Sequence, residues 1–363
     1  MKIAHLKEGW RIYKRRRRVN KKGLHTYEGN AAEICEQIIE DCWNGTYFQT
    51  STDYGHYCEF YMRDFGWAIE SLLELGHKER VIQTLEYALD KYSNQGLTTT
   101  INPKGKCIDI FKYSPDSLAY LIRCLRIAEA SDLIEKHEPF LIKEINMCFD
   151  RCFDKNTSLI RDDVHWGSMK DSTHRNCSTY DNIMLAMVSK DLNHLHLPNP
   201  FKDYDIKSAI LNNLWNGEYF YDDIHKHELV TGDNNTFPYW TGIFKNENMI
   251  KSSIKSIQSA ELDSPFPLKY SNKKISKEVF WRKWFVSDYQ THSIKTHMGA
   301  IYIHMVKKFF PSLAKIYIDK YTELIETHGT YLENYTSKGE PLNTKFYYSD
   351  EGNLWSANYL TLL

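Results

Sequence analysis

The chain has 363 residues, and its 46 Lys and Arg against 47 Asp and Glu leave a formal charge of -1. That balance excludes a general nucleic-acid binder, which carries a dominant basic footprint. No apolar run approaches the ~20 residues of a membrane-spanning helix, so no membrane partner is expected.

Residues 1–25 read as a basic lead-in. The run Lys14-Arg15-Arg16-Arg17-Arg18 reads as a solvated arm or surface patch, and MKIAHLKEGWRIYKRRRR holds no apolar signal-peptide region. The eight Cys follow no CxxC or other zinc spacing, which points to free thiols in a cytoplasmic protein. Over 26–43 the pattern is helical, with Ala31, Ile34, Ile38, Ile39 and Cys42 three and four apart. Gly45 then suits a left-handed stop. The stretch DYGHYCEFYMRDFGWAIESLLELG opens as a polar, aromatic loop and becomes an apolar helix over 64–75. Further helices are predicted over 77–92, 116–130 and 134–152, the second opened by Ser114 as cap and Pro115 in the first turn. Others follow over 179–192, 205–215, 241–260, 291–310, 312–328 and 354–363. Long loops lie at 96–109, 153–171, 219–240, 268–288 and 329–351, with almost no convincing strand.

A weak repeat punctuates this alternation. Cys42-Trp-Asn-Gly-Thr-Tyr-Phe48 resembles Leu214-Trp-Asn-Gly-Glu-Tyr-Phe220, and Cys152-Phe-Asp-Lys-Asn-Thr-Ser-Leu159 is a looser version. Repeated supersecondary units imply stacked hairpins that share a core. Six of them closed in a ring make an all-α toroid, an (α/α)6 barrel over 26–363, with the long loops gathered on one rim.

Four carboxylates stand where a long loop meets an inner helix: Asp64, Asp116, Asp171 and Glu333. Each alone is ordinary chemistry for a helix start, where the macrodipole favours a negative charge. In a ring they converge on one pocket, with Trp or Tyr near each. Two carboxylates flanking a sugar are what glycoside hydrolysis requires, one as acid and one as base or nucleophile. Aromatic residues make up 14% of the chain, and pyranose rings stack on such faces.

These segments resemble the six-hairpin glycosidases, the group of glucoamylases, trehalases, neutral invertases and mannosylglycerate hydrolases. Tyr61-Met-Arg-Asp-Phe65 is similar to the segment opening their first inner helix, whose Arg-Asp pair grips sugar hydroxyls. Pro115-Asp116-Ser-Leu resembles the sugar-binding start of the next. Gly167-Ser-Met-Lys-Asp171 resembles the neutral-invertase segment that carries the general acid. Asp288-Tyr-Gln290 resembles a glucoamylase-like loop. Leu332-Glu333-Asn-Tyr335, followed by Phe346-Tyr-Tyr-Ser349, resembles the segment of mannosylglycerate hydrolases that carries the base. The invertase segment after the acid is replaced here by Ser172-Thr-His-Arg-Asn-Cys-Ser-Thr-Tyr180, which leaves Asp163 and Asp181 as rivals to Asp171.

The resemblance implies an inverting hydrolysis of an α-glycosidic bond in a small saccharide or oligosaccharide. Asp171 would protonate the glycosidic oxygen, and Glu333 would activate water on the opposite face. Arg63 and Asp64 would fix the ring with charge-assisted hydrogen bonds, helped by Tyr61 and Asp116. Trp67, Trp166, Tyr239 and Trp240 would supply walls, and the amides of Asn234 and Asn235 would either read hydroxyls or make a turn. No nucleotide loop or metal-ligand cluster is visible, so no cofactor or metal is expected. Two alternatives remain. A sugar epimerase or polysaccharide lyase on the same toroid would shuttle protons through His165, His174, His292 or His297. A non-catalytic helical scaffold or carbohydrate-binding protein would use the basic segment for docking.

Overall fold

The computed structural model describes residues 3–109, 112–170, 173–273, 286 and 289–363. In chain order its helices are α1 (Ile3–Lys22), α2 (Ala31–Cys42), α3 (Met62–Glu74), α4 (Lys78–Gln95), α5 (Pro115–Ile127), α6 (Ser131–Cys152), α7 (Thr179–His194), α8 (Ile206–Leu214), α9 (Phe237–Trp240), α10 (Glu247–Ser259), α11 (Thr296–Phe309), α12 (Pro311–His328) and α13 (Ser356–Leu360). None of the helices among the described residues is long and apolar enough to cross a membrane.

Two kinds of helix alternate, and burial separates them. α5, α7 and α11 bury nearly every residue over their first turns. α2, α4 and α6 bury one stripe and wet the rest, the signature of a helix with a single partner face. The buried helices contact one another in sequence: α3 on α5, α5 on α7, α7 on α9, α9 on α11, α11 on α13, and α13 back on α3. The amphipathic ones lie against them, α4 on α3, α6 on α5, α8 on α7, and α12 on both α11 and α2. Gly66 lets α3 lie close on α5, for a Cβ there would sit 2.4 Å from the Tyr120 ring.

Three small antiparallel sheets bind the long loops. They are β1 (Phe60–Tyr61), β2 (Thr100–Ile101) and β3 (Cys107–Ile108) in that order, β4 (Phe153–Asp154) with β5 (Leu159–Ile160), and β6 (Ile294–Lys295) with β7 (Asn334–Tyr335). β1 runs directly into α3 and β6 into α11, so two sheets aim the starts of two buried helices.

The sequence repeat is a turn. At the ends of α2, α6 and α8, Trp43 pairs with Phe48, Phe153 with Ile160, and Trp215 with Phe220. Asn44 Oδ1 accepts from the amides of Thr46 and Tyr47, and Asn216 Oδ1 from Glu218 and Tyr219. Gly45 and Gly217 follow at φ 90° and 103°, where only glycine is unstrained. The motif thus reverses the chain from an outer helix into a loop that leads to the next buried one.

Two expectations are corrected here. The basic lead-in is not a solvated arm: it folds as α1, and Arg15 is only 6% exposed. The helix predicted over 241–260 begins at Glu247, where Asn246 accepts from the amides of Asn248 and Met249, and a separate short helix, α9, precedes it.

Candidate active site

The first half of the site is built where α3, α5 and α7 begin. Arg63 leaves the first turn of α3 and meets Asp116 in the first turn of α5, Nε donating to Oδ2 at 2.6 Å and Nη2 to Oδ1 at 3.4 Å. Nη2 also donates to the Gly167 carbonyl at 3.1 Å. Tyr180, from α7, donates its hydroxyl to Asp116 Oδ2 at 3.1 Å and lies 3.2 Å from the Tyr120 hydroxyl. Trp67 Nε1 donates to Tyr120 at 2.8 Å. Three successive helix starts are therefore tied by one polar network. Burial pushes the Asp116 carboxyl above its ordinary range, and the Arg63 guanidinium opposes that. Gly167 is held close, since a Cβ there would lie 2.6 Å from the Lys112 carbonyl, and Ser114 donates to its oxygen as well.

The second half surrounds Glu333, in the loop before β7. Its side chain is 4% exposed. Tyr289 donates to Oε1 and Tyr347 to Oε2, and Lys295 Nζ stands 3.5 Å from Oε1. Burial, then the Glu333 charge, hold the Tyr347 hydroxyl well above its ordinary range, so it remains a donor. The Tyr57 and Tyr289 hydroxyls are 2.8 Å apart, and Lys295 Nζ lies 3.2 Å from the Tyr289 ring centroid. The backbone fixes the rest: the Glu333 amide donates to the Asp350 carbonyl at 2.9 Å, and its carbonyl accepts from Thr296 at 3.1 Å.

The halves meet across the ring. The Trp67 ring of α3 stacks on His297 of α11 at 4.3 Å with planes 1° apart. Burial drives the His297 pKa well below its ordinary value, and the Lys295 and Arg63 charges add to that. Tyr61 packs edge-on against Tyr57 at 5.5 Å.

Neither a family model nor a curated protein sequence matches the chain. Solved structures do. A wild-type glycosidase superposes with a TM-score of 0.64 at 11% identity, covering 98% of this chain and 97% of that one. A mannosylglycerate hydrolase from Thermus thermophilus, in complex with Tris and D-glycerate, gives 0.60 at 12% identity over 92% and 99%. A rhamnosidase from Klebsiella oxytoca with rhamnose bound gives 0.61 at 11% identity over 91% of this chain, which spans 62% of that longer one. The chain has the fold of the six-hairpin glycosidases.

The expected site residues separate into groups. Glu333, Tyr61, Arg63 and Trp67 fall within the two halves just described, and Asp64 stands on the first turn of α3 beside Arg63. Asp171, the expected acid, lies outside the described residues. The segments on either side of it are anchored by a buried charge cluster, with Lys170 Nζ 3.1 Å from both Asp222 and Asp233, and Arg175 Nη1 2.9 Å from Asp233. Of its rivals, Asp163 is exposed and paired with Arg161 at 2.6 Å. Asp181 accepts from the Ser178 hydroxyl at 2.6 Å, beside the cap of α7. Trp166 is buried against Tyr113.

Several readings change. Arg63 partners Asp116 rather than acting with Asp64 alone. Asp116 has no exposure and anchors Arg63. Asp64 stays half-buried on the same turn as Arg63. Tyr239 is no pocket wall: its hydroxyl bonds Ser253 at 2.7 Å and the Met249 carbonyl at 3.1 Å, on outer helix α10. Trp240 lies beneath Arg123, 4.4 Å from its guanidinium and two turns along α5 from Asp116. Asn234 accepts from the Tyr180 amide and donates to Asp222, while Asn235 bonds the Phe220 backbone, so both amides are turn scaffolding.

Tyr289 and Tyr347 lie inside motifs that the sequence singled out, yet no role was assigned to them. Lys295 and Tyr57 were missed. The signal for Lys295 was a lysine set between the apolar Ile294 and the opening of an apolar helix.

Proposed function

We propose that the protein is a glycoside hydrolase built as a closed (α/α)6 toroid, a single catalytic domain that cleaves an α-glycosidic bond in a small saccharide with inversion. The observation that carries this reading is Glu333, a buried carboxylate gripped by Tyr289 and Tyr347 with Lys295 beside it. Each carboxylate oxygen retains lone pairs after accepting one hydroxyl, so it can also take the proton of an attacking water. Glu333 acts as base, and Asp171 is assigned the acid by the resemblance of its segment. Arg63, locked by Asp116, and Asp64 face the reacting sugar, with Trp67 and Tyr61 as aromatic surfaces. The free thiols fit a cytoplasmic protein.

The test is a screen for product release and product stereochemistry on trehalose, sucrose, maltose, glucosylglycerate, mannosylglycerate and a rhamnoside. The first-formed anomer should be inverted, and Glu333→Gln and Asp171→Asn should each lower kcat by about 10²–10⁴. Retention of configuration, or full activity in folded Glu333→Gln, defeats the assignment. A changed sugar configuration without bond cleavage would favour an epimerase instead.

A further inference from the structure

The basic helix α1 is attached to the two loops that hold Glu333. Arg15 donates through Nη1 to the Tyr348 carbonyl at 2.7 Å and through Nη2 to the Ser349 carbonyl at 2.9 Å. Its Nε lies 3.2 Å from Asp350 Oδ1 and 3.3 Å from the Tyr54 carbonyl. With Nη2 also 3.4 Å from Glu351 Oε1, one planar guanidinium thus engages four successive residues of the segment that follows Tyr347, and one residue of the loop that carries Tyr57. Arg18 repeats the link, bonding the Tyr54 carbonyl at 2.8 Å and the buried Glu351 carboxylate. Arg11 pairs with Glu59, Arg16 donates to the Thr344 carbonyl at 2.9 Å, and Ile12 packs on Tyr289, Leu342 and Tyr347.

The gripped residues lead directly to Glu333. Asp350 accepts the Glu333 amide through its carbonyl, and its carboxylate receives the His56 amide at 2.7 Å. The Asn334 amide donates to Ser349 Oγ at 2.9 Å, and Asn334 Nδ2 donates to the Tyr347 hydroxyl at 2.8 Å. Tyr347 and, through Tyr289, Tyr57 are the hydroxyls around the carboxylate.

We infer that α1 is a strap across the Glu333 loops, and that Arg15 is a positioning residue for Glu333, acting through the 348–350 backbone and Tyr347. The inference rests on Glu333 being the base. Arg suits the task because its fork reaches several acceptors in fixed directions, whereas a lysine offers one point charge.

The experiment uses the full chain and whichever substrate the screen above yields. Arg15→Ala, checked for folding by circular dichroism and its urea midpoint, should lose about 10- to 100-fold in kcat, the scale of a small misplacement of a reacting group. KM should stay within about two-fold, because the sugar contacts of Arg63 and Asp64 are untouched. Millimolar guanidinium should restore part of the lost kcat. Arg15→Lys keeps a charge opposite Asp350 and should fall between wild type and Arg15→Ala. If Arg15→Ala does not fold, Arg15→Lys decides. A folded variant with wild-type kcat, or a loss confined to KM, overturns the positioning role. Full activity in Glu333→Gln instead overturns the base assignment on which it rests.

Discussion

Removing the Arg63 side chain tests whether the floor of the site is held by charge. Arg63→Ala deletes the contacts to Asp116 and Gly167 and leaves a carboxylate with no exposure and, among the described residues, only the Tyr180 hydroxyl at 3.1 Å. Breaking a buried pair from one side costs about 3–5 kcal/mol. The Arg63 side chain is 12% exposed, and water can enter the space it leaves, so about 3 kcal/mol is the expected loss. Urea unfolding at constant m reads it directly. The double variant Arg63→Ala with Asp116→Asn removes the orphaned charge and should recover about 1–2 kcal/mol, a coupling expected for touching residues. The pH dependence has a definite sign. Burial raises the folded-state pKa of Asp116 above its unfolded value, and removing Arg63 raises it further. The folded state then binds the extra proton, so the deficit of Arg63→Ala should shrink as pH falls toward the ordinary carboxylate value of about 3.9. A loss under about 1 kcal/mol, unchanged by Asp116→Asn and flat with pH, would refute the claim that this pair carries the floor.

Two further outcomes follow from buried charges. His297 is held neutral in the fold while its unfolded form titrates at 6.5, so below that pH only the unfolded chain gains the proton. Stability should fall by about 1.4 kcal/mol per pH unit there on this residue's account, and His297→Phe, which keeps the stack on Trp67, should lower that slope in a series of urea melts. An unchanged slope would count against a neutral imidazole. Lys170→Met should cost about 3 kcal/mol, since it leaves Asp222 and Asp233 sharing only Arg175, and Asp233→Asn added to it should restore part of the loss.

Helix positions were legible because apolar stripes recur at three and four, and burial enforces that spacing. The repeated Trp-Asn-Gly turns were legible because asparagine and glycine have specific backbone uses there. The partner of Arg63 was not. Adjacent residues on a helix point in different directions, so the sequence neighbours Arg63 and Asp64 did not mark which carboxylate Arg63 would meet. Arg63 finds its carboxylate 53 residues away, at the start of the next buried helix. Nor was α1 legible, because a run of arginines looks the same whether it meets water or backbone carbonyls. What distinguishes Arg15 is the set of acceptors more than 300 residues along the chain, which no local pattern encodes. Tyr239 failed for the converse reason: an aromatic beside a polar loop carries no mark of which way its helix turns it.

The two halves of the site solve different mechanical problems. Arg63 and Asp116 stand on the first turns of α3 and α5, and one ion pair with one tyrosine suffices to fix them because the helices are already packed. Glu333 stands on a loop, where side chains are placed less exactly than on a helix unless surrounding groups hold them. Its placement takes two tyrosine hydroxyls, a lysine, a strand pair into α11 and the carbonyl of Asp350, a residue whose carboxylate Arg15 in turn meets from α1. The basic helix α1 thus adds, from outside the helix pairs, a hold on the segment with which the Glu333 backbone pairs.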